Sequence, residues 1–310
     1  MGYSWISIEI SGRCNAQCKW CVTGSGETKK EPSQFMSRRK FEEIITDLHN
    51  NGEISRKTTI HLYNWGEPFL NPELLDILKV ISDRGHKYVL STNASRYIQI
   101  PKYLQKNLAT LIISMPGFGQ DSYDKIHKFS FDKIISNIKL FMNDINPGKI
   151  LVNIHIYQFN QDELRPAIAF FTEHGISVYP SFAYFNNYNV MIKYLDKTLP
   201  EEVYSEAVND ICLDYVDNLL LKSSENYHCP QWDSLTIDEF GRKISCCVIP
   251  KNHPAYQSND RAICNECISS GVAYWAHHPE SPDFAKKLGE KYFLKKIVSR
   301  YIRNIMTISL

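Results

Sequence analysis

Three cysteines, Cys14, Cys18 and Cys21, stand within "RCNAQCKWC" at residues 13–21, just after the β-like run "WISIEIS". Thiolates are soft ligands, and cysteines set this close suit zinc or iron–sulfur. Structural zinc takes four ligands, usually as CxxC pairs. Here the spacings are four and three, and no fourth cysteine is near. On a cubane [4Fe–4S] cluster three thiolates leave one iron bare, and a bare iron is a working position. A second group runs through "CPQWDSLTIDEFGRKISCC" (229–247) and "CNEC" (264–267). Cys212 alone stands apart, on an apolar helical face, and reads as buried core. Two metal sites are therefore expected.

The elements that must position these cysteines follow an alternating pattern. Short β-branched runs, "TTIHLY" (58–63), "KYVLST" (87–92), "ATLIIS" (109–114), "KILVNIHIY" (149–157) and "ISVYPS" (176–181), are separated by helical stretches at 36–50, 71–85, 120–143 and 160–174. In the second stretch Asn71 is expected as N-cap, Pro72 at the first helical position and Gly85 as the stop. With "WISIEIS" first, these make six β/α units, which predicts a parallel sheet with crossover helices. Six units fall short of the eight that close a full barrel, so the expected fold is α/β, a partial (β/α)6 barrel or an open sheet. After residue 182 the pattern breaks into an aromatic loop, "FAYFNNYNV", and one helix, "PEEVYSEAVNDICLDYVDNLLL", starting at Pro200. "TIDEFGRKISC" predicts a hairpin turning at Glu239–Gly241, whose second strand delivers a cysteine. The expected divisions are 1–182 for the barrel, 183–227 for a linker and helix, 228–275 for the cysteine-rich unit and 276–310 for a basic tail.

Composition narrows the class. The chain has 310 residues, 43% of them apolar, enough for a sizeable core, and a formal net charge of +1 gives no global pull toward nucleic acid or membrane. The N-terminus lacks the basic and apolar regions of a signal peptide, and no run of 18 apolar residues occurs. Nine cysteines without an export signal suit a reducing compartment, so a cytoplasmic protein is expected, its clustered cysteines binding metal rather than pairing.

"CNAQCKWC" resembles the mark of the radical S-adenosylmethionine (SAM) superfamily, CxxxCxΦC with an aromatic before the last cysteine, here Trp20. A Gly-Gly-Glu-Pro-like turn after the second strand is the family's next motif. It stands here as "NWGEPFLNP", with Gly66, Glu67 and Pro68, and Trp65 replacing the first glycine. The resemblance covers about residues 5–182 and implies a partial (β/α)6 barrel holding SAM and a [4Fe–4S] cluster with an open iron. It implies that the 66–68 backbone meets the SAM amino group, and that Ser91, Asn93, Ser114 and Asn153 contact its ribose and carboxylate. Strand parity agrees independently: Asn153, His155 and Tyr157 share one face of their strand, opposite Ile150, Val152, Ile154 and Ile156. Likewise Glu9 and Ser11 oppose Ile6, Ile8 and Ile10, and His61 and Tyr63 oppose Ile60 and Leu62. A zinc knuckle on an unrelated α/β domain is the plainer alternative, and its CxxC pairing is missing.

The spacing Cys229–x11–Gly241–x4–Cys246 resembles the opening of the SPASM and twitch extensions of that superfamily, which hold auxiliary [4Fe–4S] clusters. Cys229, Cys246, Cys264 and Cys267 would give four thiolates and no open iron, the one-cluster twitch form, with Cys247 spare or replacing Cys246 if the register slips. An all-cysteine zinc ribbon is the alternative. By resemblance, an electron from a flavodoxin or ferredoxin enters the first cluster, SAM breaks to methionine and a 5′-deoxyadenosyl radical, and that radical takes a hydrogen atom from unactivated carbon. If the auxiliary cluster accepts an electron, the outcome is an oxidation. Only 13 residues precede Cys14, where many peptide-modifying relatives carry a leader-binding domain, so the expected substrate is small or carbohydrate-like. The expected enzyme is an oxidoreductase of dehydrogenase type. The hydroxyl proton would go to His155, Tyr157, His61 or Glu9, a histidine near neutral pKa suiting the task best. A peptide maturase working through a separate leader-binding partner is the runner-up, and a degenerate scaffold with structural clusters is the non-enzyme reading.

The tail "KKLGEKYFLKKIVSRYIRNIM" (286–306) places Leu294, Ile297, Val298, Tyr301 and Ile305 on one helical face among seven basic residues. Three readings fit: a helix packed on the barrel, peripheral contact with an anionic membrane, or a dock for the acidic electron donor.

Overall fold

The computed structural model describes residues 2–25, 33–185, 187–213, 229–257, 262–270 and 272. The expected basic helix of 276–310 lies outside them, as does 214–228 of the expected linker. Among the described residues the strands form one sheet of eight, in the order β6-β5-β4-β3-β2-β1-β7-β8. These are β1 (Trp5–Ile8), β2 (Thr59–His61), β3 (Tyr88–Thr92), β4 (Leu108–Met115), β5 (Ile150–Ile156), β6 (Ser177–Phe182), β7 (Leu235–Ile237) and β8 (Lys243–Ile244). Neighbours from β6 through β1 to β7 run parallel, and only β8 is antiparallel, against β7. The sheet is mostly parallel and open, as the six β/α units require.

Helices α1 (Arg38–Asn50), α2 (Leu74–Asp83), α3 (Lys102–Gln105), α4 (Gln120–Lys125), α5 (Phe131–Asp144) and α6 (Leu164–Glu173) connect successive strands. α1 shows why the sequence folds this way. The Ser37 side chain caps it by accepting from the Lys40 N–H, and Phe41, Ile44, Ile45 and Leu48 fall at helical spacing on its buried face. That face joins Ile6, Ile8, Ile60, Leu90, Leu111, Ile113, Val152, Ile154 and Phe171 in one large core. Each such side chain contributes about 1.5–3 kcal/mol by leaving water. The other face is different: along β5, Leu151, Asn153 and His155 are half-buried while Ile150, Val152, Ile154 and Ile156 are buried. The concave side is polar and only partly covered.

Several boundaries differ from expectation. Asn71 does not cap α2. Its Oδ1 accepts from the Glu73 N–H, while its amide donates to the carbonyls of Ile10 and Met36, so α2 starts later, at Leu74. The single helix expected at 120–143 is two, broken where Lys128 takes a positive φ of 66°. Past the barrel lie α7 (Tyr188–Leu195), α8 (Glu201–Asp210) and α9 (Ala262–Ser269). α8 ends at Asp210 because Ile211 is extended, so the one helix expected from Pro200 is interrupted there, and its stretch beyond residue 213 lies outside the described residues. The β7–β8 hairpin turns through Gly241 at φ 84°, as predicted. It is not separate from the barrel, however: β7 extends the main sheet by pairing with β1.

Candidate functional site

The 9–25 loop leaves the carboxyl end of β1, the end where open parallel sheets bind ligands. Its start is fixed by the returning chain, since the Gly12 N–H donates to Gln34 O at 2.9 Å and the Met36 N–H to Ile10 O at 3.0 Å. Cys14, Cys18 and Cys21 follow, each half-buried. Burial, with the charge of Glu67 next, pushes the Cys14 thiol up to about 12, and burial also raises Cys18 and Cys21. Cys14 and Cys21 repel charge on Cys18, so the three thiols share one neighbourhood. As thiolates they need a cationic partner, which an iron–sulfur core supplies. Among the described residues no three His, Cys, Asp or Glu side chains converge as ligands of a single ion. In a cubane each cysteine takes its own iron, so convergence is not required, and the donor set fits a cluster.

The turn at 64–68 locks onto this loop through backbone atoms. Glu67 N–H donates to Arg13 O at 2.8 Å. A Cβ at Gly66 would stand 1.6 Å from Ser11 O, so only glycine permits the approach. Glu9, expected as a base, is 1% exposed, and its Oε1 accepts from the N–H groups of Trp65 (2.9 Å) and Gly66 (2.7 Å). Its carboxyl therefore serves the turn. Burial raises it to about 7, helped by Glu239 and opposed by Lys251. Glu239, fully buried, is ion-paired with Lys251 and fills the space where Gly12 lacks a side chain. The hairpin thus braces the cysteine loop from behind. Glu67 is likewise a brace: Oε1 accepts from the Phe69 N–H and the Thr92 hydroxyl, and Oε2 from the Asn93 N–H at 2.7 Å. Burial holds it at about 7 despite those donors.

The expected SAM contacts gather at the carboxyl ends of β3–β5. Asn93 directs its amide to Asn15 Oδ1 (3.1 Å) and the Cys14 sulfur (3.8 Å). Ser114 and Asn153 are register partners on β4 and β5. The Ser114 hydroxyl meets His155 Nε2 at 3.1 Å, and Asn153 accepts from Ser181 at 2.8 Å. Ser91 is half-buried one strand away. Next to the turn, the Asn64 amide nitrogen is buried with no partner. With the Gly66–Pro68 turn, these residues fit the polar end of SAM. Trp20 faces elsewhere: its Nε1–H donates to Asp210 Oδ2 at 3.0 Å and its ring meets Phe185 edge-on. Lys19 pairs with Glu206 at 2.6 Å, so α8 grips the cysteine loop at both residues. A cavity of about 160 Å³ lies between that loop and α7–α8, lined by Trp20, Cys21, Phe185 and Val203 among others.

The candidate bases divide by position. His61 and His155 lie on the polar face, and burial lowers both to about 4, not the near-neutral value expected. His61 is stacked between Trp5 and Tyr63. Tyr157 packs in a small cluster with Ile126 and Ala183 beside Cys18 and Trp20, and burial raises its phenol. Asn64, Ser181 and the buried His127, which burial and His155 lower to about 3, were not singled out from the sequence. Each is brought in by tertiary approach, and no spacing signals it.

At the second group, Cys229, Cys246, Cys264 and Cys267 line one cavity with Tyr188, Trp232, Val248 and Ile249. α9 presents Cys264 and Cys267 one turn apart, and β8 leads into Cys246. Cys247 does not line the cavity. The Cys267 thiol is raised by burial first and then by Cys246, Cys229 and Cys264, so all three lie close to it. Cys212 is buried in the main core, as expected.

The family model for the radical SAM superfamily matches residues 8–171. The chain is 25% identical over 236 residues to the GTP 3′,8-cyclase of Limosilactobacillus fermentum, covering 73% of this chain and 68% of that protein. It is 22% identical over 183 residues to the AdoMet-dependent heme synthase of Methanosarcina barkeri, covering 57% of this chain and 49% of that one. The chain thus spans about half to two thirds of these relatives' length. SuiB of Streptococcus suis, crystallised with its precursor peptide SuiA, superposes with a TM-score of 0.53 at 16% identity, covering 91% of this chain and 66% of that one. That likeness is one of fold.

Proposed function

The chain belongs to the radical SAM superfamily, whose members use SAM and a [4Fe–4S] cluster, and we propose that it oxidises a small polar, carbohydrate-like substrate with an auxiliary cluster as electron acceptor. Cys14, Cys18 and Cys21 would hold the first cluster, and Cys229, Cys246, Cys264 and Cys267 the second. When bound, these groups supply reductive cleavage of SAM for hydrogen-atom abstraction and a sink for the substrate's electron. The observation that carries the reading is the difference in ligand number between the two sites: three thiols on the loop at the end of β1, and four lining one cavity.

The remaining residues bind and orient. Glu9 and Glu67 fix the 64–68 turn, and Asn64, Asn93 and Asn153 present amides to the SAM carboxylate and ribose. The polar concave face supports a hydroxylated substrate: Ser7, His61, Ser114, Asn153, His155 and Tyr179 are all half-buried along it. Burial keeps His61 and His155 neutral at pH 7, so either has a ring nitrogen able to take a hydroxyl proton, though as a weaker base than a free imidazole. Glu9, 1% exposed with Oε1 held by two backbone N–H groups and Oε2 buried without a partner, and Tyr157, a phenol raised by burial, suit that role less than the two histidines. Anaerobically reconstituted protein, given a reductant, SAM and a panel of polyols and aminocyclitols, tests the reading. A product lighter by two hydrogens, formed one for one with 5′-deoxyadenosine, supports it. Turnover of a short peptide but of no polyol would replace the substrate class by the peptide reading.

A further inference from the structure

The four-cysteine cavity contains one polar group that cluster ligation leaves unexplained. Tyr188, at the start of α7, lines it, is 3% exposed, and its hydroxyl is buried with no hydrogen-bond partner. A buried hydroxyl without a partner costs about 1–3 kcal/mol, so such a group points to an acceptor that belongs there. The ring is held in place. The Tyr188 N–H donates to Val248 O at 3.0 Å, Asn187 caps the helix by accepting from the Asn189 N–H, and His253 meets the ring edge-on at 5.5 Å. The groups acting electrostatically on the hydroxyl are Glu266, Cys267 and Cys264, the last two being candidate ligands. Exposed Glu266 acts on the hydroxyl both by its charge and as a weak acceptor, and raises it, but it does not meet hydrogen-bond geometry, and the buried hydroxyl stays without a partner. The sulfurs of Cys229, Cys246, Cys264 and Cys267 line the same cavity as the hydroxyl's ring.

We propose that Tyr188 donates a hydrogen bond from its hydroxyl to a sulfur of the iron–sulfur cluster held by Cys229, Cys246, Cys264 and Cys267, and thereby raises that cluster's reduction potential. The inference rests on the auxiliary-cluster reading above. The reduced cluster carries one more negative charge than the oxidised one, so a donor to its sulfur stabilises the reduced form more. Tyr188 would be a positioning and tuning residue that leaves iron ligation unchanged.

The test uses full-length protein with Cys14, Cys18 and Cys21 all replaced by Ala, so that only the second site holds iron. It compares Tyr188 with Tyr188→Phe, which keeps the ring packing. About four irons in both proteins are expected, with the Phe variant's reduced-to-oxidised ratio at fixed potential falling about tenfold, equivalent to about 59 mV for one electron. A strongly coupled exchangeable proton should also vanish from the ENDOR spectrum of the reduced cluster. Equal potentials and an unchanged proton signal, with the iron retained, would overturn the role of Tyr188 and leave the cluster standing. A background protein holding no iron–sulfur cluster would overturn the cluster and the inference together.

Discussion

Replacing Gly66 by Ala is the smallest change that should separate the cysteine loop from the turn beside it. The added Cβ would stand 1.6 Å from Ser11 O, 2.7 Å from Ser11 C and 3.0 Å from Arg13 O, all backbone atoms that no side-chain rotation relieves. An ordinary C···O approach is about 3.3 Å, so the two segments must part by about 1.7 Å. That distance removes the bonds from Trp65 N–H and Gly66 N–H to Glu9, and from Glu67 N–H to Arg13 O. At about 1.5–3 kcal/mol for each bond to the carboxylate and about 1 for the other, the loss is about 4–7 kcal/mol. A whole domain is stable by about 5–15 kcal/mol, so the variant should survive only by letting the loop go. Anaerobic reconstitution, iron and sulfide counts, and equilibrium dialysis with SAM read the outcome, beside a Gly148→Ala control whose nearest obstacle is an Asn146 side-chain oxygen at 3.3 Å. Gly66→Ala should lose about half of the iron and all measurable SAM binding, and melt earlier than the control. Full iron content and unchanged SAM affinity would show that the turn and the loop are not locked through this glycine.

Three further outcomes follow from other parts of the molecule. Lys251→Met should destabilise the protein by about 3–5 kcal/mol in urea titrations, because Glu239 and Glu9 then share a buried region without their cation; adding Glu239→Gln should recover most of it, and a neutral Lys251→Met would refute the brace. His61 and His155 have folded values near 4 against 6.5 for the free side chain, so the unfolded chain binds more protons between those limits. Stability should therefore be lost as pH falls from 6.5 toward 4, by up to about 3 kcal/mol for each histidine, and His155→Asn should lose correspondingly less over that range in parallel titrations. Cys246→Ser should lose the iron of the second site while Cys247→Ser keeps it, since only Cys246 lines the cavity; the reverse pattern would mean that the hairpin register is shifted.

Much of this architecture is written locally. Alternating β-branched runs and amphipathic helices signal the parallel sheet because burial of one helix face and of alternate strand residues imposes those periods. The cysteine spacing is equally local, since one loop must reach one cluster. What the sequence did not reveal arises from contacts distant in the chain. β7 is a three-residue strand that could pair anywhere, and its place beside β1 depends on a partner some 230 residues away. Asn71 has the composition of a helix cap, yet two carbonyls from other segments claim its amide. Glu9 and Glu67 carry the chemistry of acids and bases, but backbone N–H groups from neighbouring turns occupy Oε1 of Glu9 and both oxygens of Glu67. His61 and His155 have the right residue type for proton transfer, and only their burial shows how far their affinity for protons has fallen.

The most direct measurement is made on the first loop itself. Reduced, reconstituted protein carrying Cys18→Ala should form no 5′-deoxyadenosine from SAM, and wild-type protein mixed with SAM labelled with nitrogen-15 at its amino group should show that nitrogen coupled to the reduced cluster by ENDOR. Cleavage at the wild-type rate by the variant, or a reduced wild-type cluster that senses no nitrogen from bound SAM, would contradict an iron left open for the cosubstrate by Cys14, Cys18 and Cys21.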